Sequence, residues 1–222
     1  MEKDTILPCR IKKAGEEGDD QMELMEAITQ RRSIRKYKPD PVPKEKIMRI
    51  LEAANWAPSG RDGQQWEYMV VGGEIKDQLA GIYSLITEEN MPPEEERTKR
   101  QRSFSRWAKD LGGAPLVVVA VMRREVDPAS YKMVLESVAA SFQNLLLAAH
   151  DEGLGTCWMT GPLRAEQKVN KVLKLPKDLE VVAMTPLGYP DSMPKAPDRH
   201  DPDLKEKLTL MECDQGIVEE QK

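Results

Sequence analysis

Arg31-Arg32-Ser33-Ile34-Arg35 puts three guanidinium groups and a hydroxyl within five positions. These are planar, permanently charged donors suited to a phosphate and to the polar edge of a ring. Upstream, residues 22–30 place Leu24, Met25, Ala27 and Ile28 on one helical face. The arginines therefore fall at a helix end, where cations also complement the negative pole of the helix without any ligand. Downstream, Tyr37-Lys38-Pro39-Asp40-Pro41-Val42-Pro43 stops the helix and sets an extended exit. Residues 44–55 return Ile47, Ile50, Leu51 and Ala54 at the spacing of an amphipathic helix. Its end opens Ala57-Pro58-Ser59-Gly60-Arg61-Asp62-Gly63-Gln64-Gln65-Trp66. The glycines there let backbone approach a ligand, and Ser59 and Gln64 offer hydrogen bonds; a plain surface turn has the same composition.

Beyond this loop the pattern alternates. A short strand over 67–71 ends at Gly72-Gly73, and 75–86 returns to helical spacing. Residues 88–106 are densely charged, with Glu94-Glu95-Glu96 followed by Arg97, Lys99, Arg100, Arg102 and Arg106. Two readings fit: a solvated helix with charge pairs, or a lid whose basic half attracts a phosphate or carboxylate, with Phe104 and Trp107 as its apolar inner face. The nearly continuous apolar run 115–122 predicts a strand buried on both faces at the sheet centre. Asp127-Pro128 starts the strongest helix, in which Tyr131, Val134, Leu135, Val138, Ala139, Phe142, Leu145, Leu146 and Ala149 repeat at helical spacing up to Gly153. A strand over 155–159 broken at Thr160-Gly161-Pro162, a helix over 163–173, a strand over 180–187 and a modest helix over 204–211 complete the chain. Strands and helices in alternation predict an α/β or α+β class.

With 222 residues and no linker-like segment, one domain over 22–202 is expected, between an N-terminal arm (1–21) and a C-terminal tail (203–222). A net charge of -5 and a pI near 5.3 argue against general nucleic-acid binding and for small-molecule partners. The charged first twenty residues do not read as an export signal, so a cytoplasmic location is expected. The apolar runs are too short or too interrupted to predict a membrane span. Cys9, Cys157 and Cys213 are scattered and read as reduced thiols; His150 and His200 are isolated, so no metal site is expected. His150, closing the long helix, is assigned to the helix dipole. No Rossmann turn or P-loop is present.

Taken together, R-R-S-I-R, the A-P-S-G-x-x-x-Q-x-W loop, G-L-G-T-C-W-M-T-G-P (153–162) and L-G-Y-P (187–190) resemble, in order and spacing, the FMN-dependent nitroreductase family, from about residue 22 to Arg199. The resemblance implies an α+β fold with a central mixed, largely antiparallel sheet flanked by helices, in an intertwined homodimer whose C-terminal tail wraps the partner. It implies FMN as cofactor and NADH or NADPH as donor, used in ping-pong fashion to reduce a nitroaromatic, quinone or related acceptor. Arg31, Arg32 and Ser33 would then meet the phosphate and ribityl chain, and Arg199 would close the phosphate site. Arg35 would tune the ring at its N1/O2 edge. Pro58, Ser59, Gly60 and Gln64 would reach the ring from the second subunit. Trp158, Met159, Thr160 and Gly161 would pass near N5, with Thr160 or a backbone amide as donor. Asp62 and Gln65 depart from the family's usual Asn and Pro, and Arg61 is bulkier than its usual counterpart. Reductive dehalogenation of the iodotyrosine deiodinase type and non-catalytic FMN binding are the rival readings.

Overall fold

The computed structural model describes residues 22–211. The arm over 1–21, residues 212–222, Cys9 and Cys213 lie outside the described residues. Four strands, β1 (Trp66–Gly72), β2 (Leu116–Arg123), β3 (Gly155–Thr156) and β4 (Leu179–Gly188), form a sheet in the order β1-β2-β4-β3. All pairings among them are antiparallel. An isolated bridge between Ser33, outside the four strands, and Thr156 is parallel.

β2 is the inner strand that its unbroken apolar sequence predicts. Val117, Val119 and Val121 face one core, while Val118, Ala120 and Met122 face the other, as the two-residue strand period requires. All six are buried. Onto the first face pack α3 (Gly73–Glu89), α4 (Lys99–Asp110) and α6 (Glu166–Leu173), through residues such as Leu79, Trp107 and Val169. Onto the second pack α2 (Lys44–Asn55) and α5 (Pro128–Asp151). α5 starts where Asp127 accepts the Ser130 amide at 2.8 Å with Pro128 in the first turn, a favoured helix start. It contributes Val134, Val138, Phe142, Leu145, Leu146 and Ala149. Its Ser141 hydroxyl donates to the Ala54 carbonyl at 2.7 Å and meets the Tyr68 hydroxyl at 2.7 Å, joining α5 to α2 and β1.

Three expectations are refined. The charged stretch after α3 resolves into α4, opened by a reciprocal cap between Thr98 and Gln101. It is not solvated all round: Ser105, Trp107 and Ala108 are buried, and Glu88 on α3 holds Arg97 at 2.8 Å and the Ser105 hydroxyl. The strand predicted over 155–159 keeps only two residues, because the Thr185 hydroxyl takes the Cys157 amide at 2.8 Å. Pairing resumes at Met159, whose amide donates to the Met184 carbonyl at 2.8 Å.

The helix predicted over 204–211 is not formed. Asp201 uses both carboxylate oxygens on the amides of Lys205, Glu206 and Lys207, and Leu204 sits at φ +59°, leaving turns. Leu204, Leu208, Leu210 and Met211 stay exposed, so no apolar face is buried to stabilise a helix.

Candidate functional site

The first helix, α1 (Leu24–Gln30), ends at the arginine cluster. Arg32 turns back to donate to the Thr29 and Arg31 carbonyls at 2.6 and 2.7 Å, so part of its guanidinium closes the helix end, the ligand-free role weighed from sequence. The following residues run as an extended ribbon held on several sides. The Ile34 amide donates to the Thr156 carbonyl at 2.8 Å, the Tyr37 amide to Gly112 at 2.9 Å, and the Lys38 amide to Tyr189 at 2.9 Å. The Tyr37 hydroxyl donates to the Ile34 carbonyl at 2.8 Å. Ile34 and Tyr37 point inward and are buried, leaving Arg35 and Lys36 exposed. Arg35 lays its guanidinium over the Trp107 ring at 5.5 Å from the centroid, a cation–π contact.

Arg31 has Arg32 and Arg199 as cationic neighbours. Burial first, then those two charges, lower its pKa, and nearby Cys157 opposes them. Among the described residues neither Arg31 nor Arg199 has a carboxylate partner. Beside the cluster stands His150, whose Nε2 is buried without a hydrogen-bond partner. Burial, then Arg31 and Arg32, push the imidazole below its ordinary 6.5. His150 closes the last turn of α5, where the sequence places it, with its proton affinity lowered by burial and those neighbours. Uncompensated guanidiniums around an unpartnered imidazole fit a bound phosphate. The sequence signal for His150 was its place at the end of the longest helix; its neighbours in space were not legible. Cys157, on the inner side, has its thiol pushed up by burial, with Arg35, Ser33 and Arg31 pulling the other way.

Next to Arg35 opens a cleft of about 920 Å³, lined among others by Arg100, Phe104, Arg106, Trp107 and Gly112. A smaller cavity of about 240 Å³ meets it at Met91 and Phe104 and is lined by Tyr83, Thr87, Gly161 and Arg164. The Trp107 indole N–H and the Thr87 hydroxyl are buried and unpartnered, as groups awaiting a ligand are. Trp158 is half-exposed, set edge-on to Phe142 at 4.7 Å. Met159 is buried, while Thr160 is exposed and its side chain caps no helix.

One chain thus brings Arg31, Arg32, Ser33, Arg35 and Arg199 together with the Trp158-to-Gly161 segment. It does not bring Pro58, Ser59, Gly60 and Gln64 to them. The Gly60 amide donates to Ser137 at 3.0 Å, whereas the Met22 amide, at the start of the arginine-bearing segment, donates to Asp151 at 2.8 Å. Those two α5 positions lie roughly 21 Å apart along the helix axis at 1.5 Å per residue. The loop is preorganised where it stands: Ser59 accepts the Gln64 amide at 3.0 Å, and Arg61, Asp62 and Gln64 all have positive φ, costly values for residues with side chains. Gln65 donates to the Gly60 carbonyl at 3.2 Å, a bond a proline there would lack.

Residues 28–189 match the model of the nitroreductase family. The chain is 30% identical over 180 residues to an iodotyrosine deiodinase of Thermotoga neapolitana, covering 78% of this chain and 92% of that protein. It is 30% identical over 194 residues to a nitrobenzene nitroreductase of Ectopseudomonas oleovorans, covering 74% and 86%. An FMN-dependent nitroreductase structure from Clostridium difficile R20291 superposes with a TM-score of 0.63 at 28% identity, covering 84% of this chain and 98% of that one.

Proposed function

The chain belongs to the nitroreductase family, and from that premise we propose that it is an FMN-dependent oxidoreductase that uses NAD(P)H to reduce an electron-poor acceptor, a nitroaromatic or a quinone, by ping-pong turnover. The observation that carries this reading is the bond from the Ile34 amide to the Thr156 carbonyl. It sets the arginine ribbon beside the strand end that leads to Thr160, next to an aromatic-walled cleft.

When bound, FMN supplies hydride transfer between donor and acceptor. The chain's own residues do the rest. Arg31 and Arg199, with the free edge of Arg32 and the unpartnered His150 nitrogen, would hold the phosphate. Arg35, its guanidinium over the Trp107 ring, would present positive charge to the polar part of the flavin ring. Thr160, whose hydroxyl has no partner among the described residues, would offer the cofactor a hydrogen bond. Phe104 and Trp107 wall the cleft, with Tyr83 in the adjoining cavity, and favour flat ligands. No side chain is required as a general base.

A homodimer follows from the same reading. Pro58, Ser59, Gly60 and Gln64 lie too far along α5 to reach their own chain's arginines, so a second copy supplies them. Leu24, Met25 and Ile28 on α1, with Leu204, Leu208, Leu210 and Met211, stand exposed as apolar surface for that copy.

The test is the visible spectrum of the purified protein before and after anaerobic NADH or NADPH, followed by an acceptor panel. A yellow protein that bleaches and then reduces a nitroaromatic or quinone is expected; a colourless protein that refuses added FMN contradicts the proposal. The likeness to an iodotyrosine deiodinase keeps a second reading, reductive dehalogenation, which a halotyrosine in the same panel separates. A flavin that resists both donors would mark a carrier of FMN.

A further inference from the structure

In the flavin reading Phe104 and Trp107 of α4 form an apolar wall, but the arginines on the same helix have no role. Arg100, Phe104, Trp107 and Asp110 recur there at helical spacing, flanked by Arg106. Phe104 and Trp107 lie 5.4 Å apart between centroids with their planes inclined at 46°, and Tyr83 is edge-on to both, so one wall is aromatic. The charge on that wall is unbalanced. Arg35, Lys36, Arg100 and Arg106 line the cleft against one carboxylate, Asp110, which accepts the Gly112 amide at 2.8 Å.

Lys36 is paired with Asp191, and the neighbouring Arg97 and Arg102 are engaged with Glu88 and the Glu94 carbonyl. Among the described residues the side chains of Arg100 and Arg106 have neither an ion pair nor a hydrogen bond, even though three glutamates, Glu94 to Glu96, precede the helix. The Trp107 indole N–H, buried at 6% exposure, is unpartnered in the same wall. An aromatic wall beside unpaired, weakly hydrated guanidiniums is suited to an aromatic ring that carries a carboxylate.

We propose that the acceptor is an aromatic carboxylate, its ring against Phe104 and Trp107 and its carboxylate held by Arg100 and Arg106; this rests on the oxidoreductase reading above. The two positions stand ~9 Å apart along α4 and about 120° apart around it; both side chains nonetheless line the cleft, and their length lets them reach one anion there. Charge on both then selects the anionic acceptor over a neutral one of the same shape and speeds its capture at low salt.

The experiment compares 4-nitrobenzoate with its uncharged analogue 4-nitrobenzamide on the FMN-loaded protein, together with calorimetric binding of the non-reducible benzoate. For the wild type, kcat/KM favours the carboxylate at low salt, and benzoate binding weakens as salt is raised. In Arg100→Gln/Arg106→Gln the carboxylate-to-amide ratio falls at least tenfold and benzoate binding weakens in parallel; Arg100→Lys/Arg106→Lys recovers part of both. A ratio and a benzoate affinity that do not respond to the substitutions overturn the proposal. So does a substitution effect confined to the preference between NADPH and NADH, which would give these arginines to the donor's phosphate. Failure of the reading beneath is seen separately, before any acceptor is added, as a protein that takes up no FMN or that NAD(P)H does not bleach.

Discussion

A β-carbon on residue 112 would stand 2.2 Å from the carbonyl oxygen of Arg35, because Gly112, at φ +70°, brings its backbone directly against that of the arginine. The glycine's own carbonyl meanwhile accepts the Tyr37 amide at 2.9 Å. The ribbon that aims Arg35 into the cleft is therefore located by backbone contact. Gly112→Ala is expected to cost about 1 kcal/mol or more, since the φ is unfavourable and the Arg35 backbone must move. Thermal unfolding should occur at lower temperature and the purified variant should retain less flavin; a wild-type melting curve with full flavin content would contradict this account.

Arg35→Ala removes the charge that lies over Trp107. If the guanidinium serves the ring edge of the cofactor, FMN affinity should fall by about 1.5 to 3 kcal/mol, the range for a hydrogen bond to a charged group, or reduction by NAD(P)H should slow comparably. Flavin fluorescence titration and anaerobic stopped-flow bleaching measure the two effects. Wild-type values for both would remove Arg35 from the site.

Much of the architecture could be read from residue pattern. The apolar run of β2 foretold a strand covered on both faces, and the spacing from Val134 to Ala149 foretold α5. The two groups of candidate residues were legible as groups, because Arg31 to Arg35 and Trp158 to Gly161 are each close in sequence. What joins the groups was not, since the Ile34-to-Thr156 bond spans more than a hundred residues. His150 gave no sign of its arginine neighbours. The segment 204–211 had helical periodicity, but Leu204, Leu208 and Leu210 stay exposed, and Asp201 takes the amides of Lys205, Glu206 and Lys207 instead.

Ser141 is fully buried and bonded to both the Ala54 carbonyl and the Tyr68 hydroxyl. Ser141→Ala would leave those groups without this partner, at a cost of about 1 to 3 kcal/mol. Urea denaturation should show an earlier midpoint with an unchanged slope, whereas an unaltered midpoint would mean that the junction of α5, α2 and β1 does not depend on it.

His150 offers a titration. Its folded pKa lies below the unfolded value through burial and the two arginines. The stability it contributes is thus present above pH 6.5 and is lost as pH falls through the lowered pKa. A phosphate dianion bound at Arg31 would favour the imidazolium, so FMN should move the His150 pKa upward. Proton NMR, assigned with His150→Gln, follows both values; no shift on adding FMN would place the phosphate elsewhere.

At alkaline pH the buried phenols set a limit. Burial pushes Tyr68 and Tyr83 up to about 12, partly opposed by Ser141 at Tyr68 and by Arg35 and Arg164 at Tyr83. The unfolded chain, with phenols near pH ~10, loses those protons first. Their contribution is complete below that value and falls away as pH climbs toward 12. Ultraviolet titration should show tyrosines ionising together with unfolding; their free ionisation near pH 10 in folded protein would contradict the burial.

The central claim is that one flavin site is assembled from two copies of the chain, and subunit mixing tests it most directly. One variant, Arg31→Ala/Arg35→Ala, loses the ribbon; the other, Pro58→Asp/Gln64→Ala, loses the loop, and neither alone should bind FMN well. After the two are mixed, unfolded and refolded together, heterodimers carrying one intact site and one doubly damaged site should recover tight binding, at about one FMN per heterodimer. Two variants that each bind poorly and recover nothing on mixing would show that ribbon and loop do not meet across subunits.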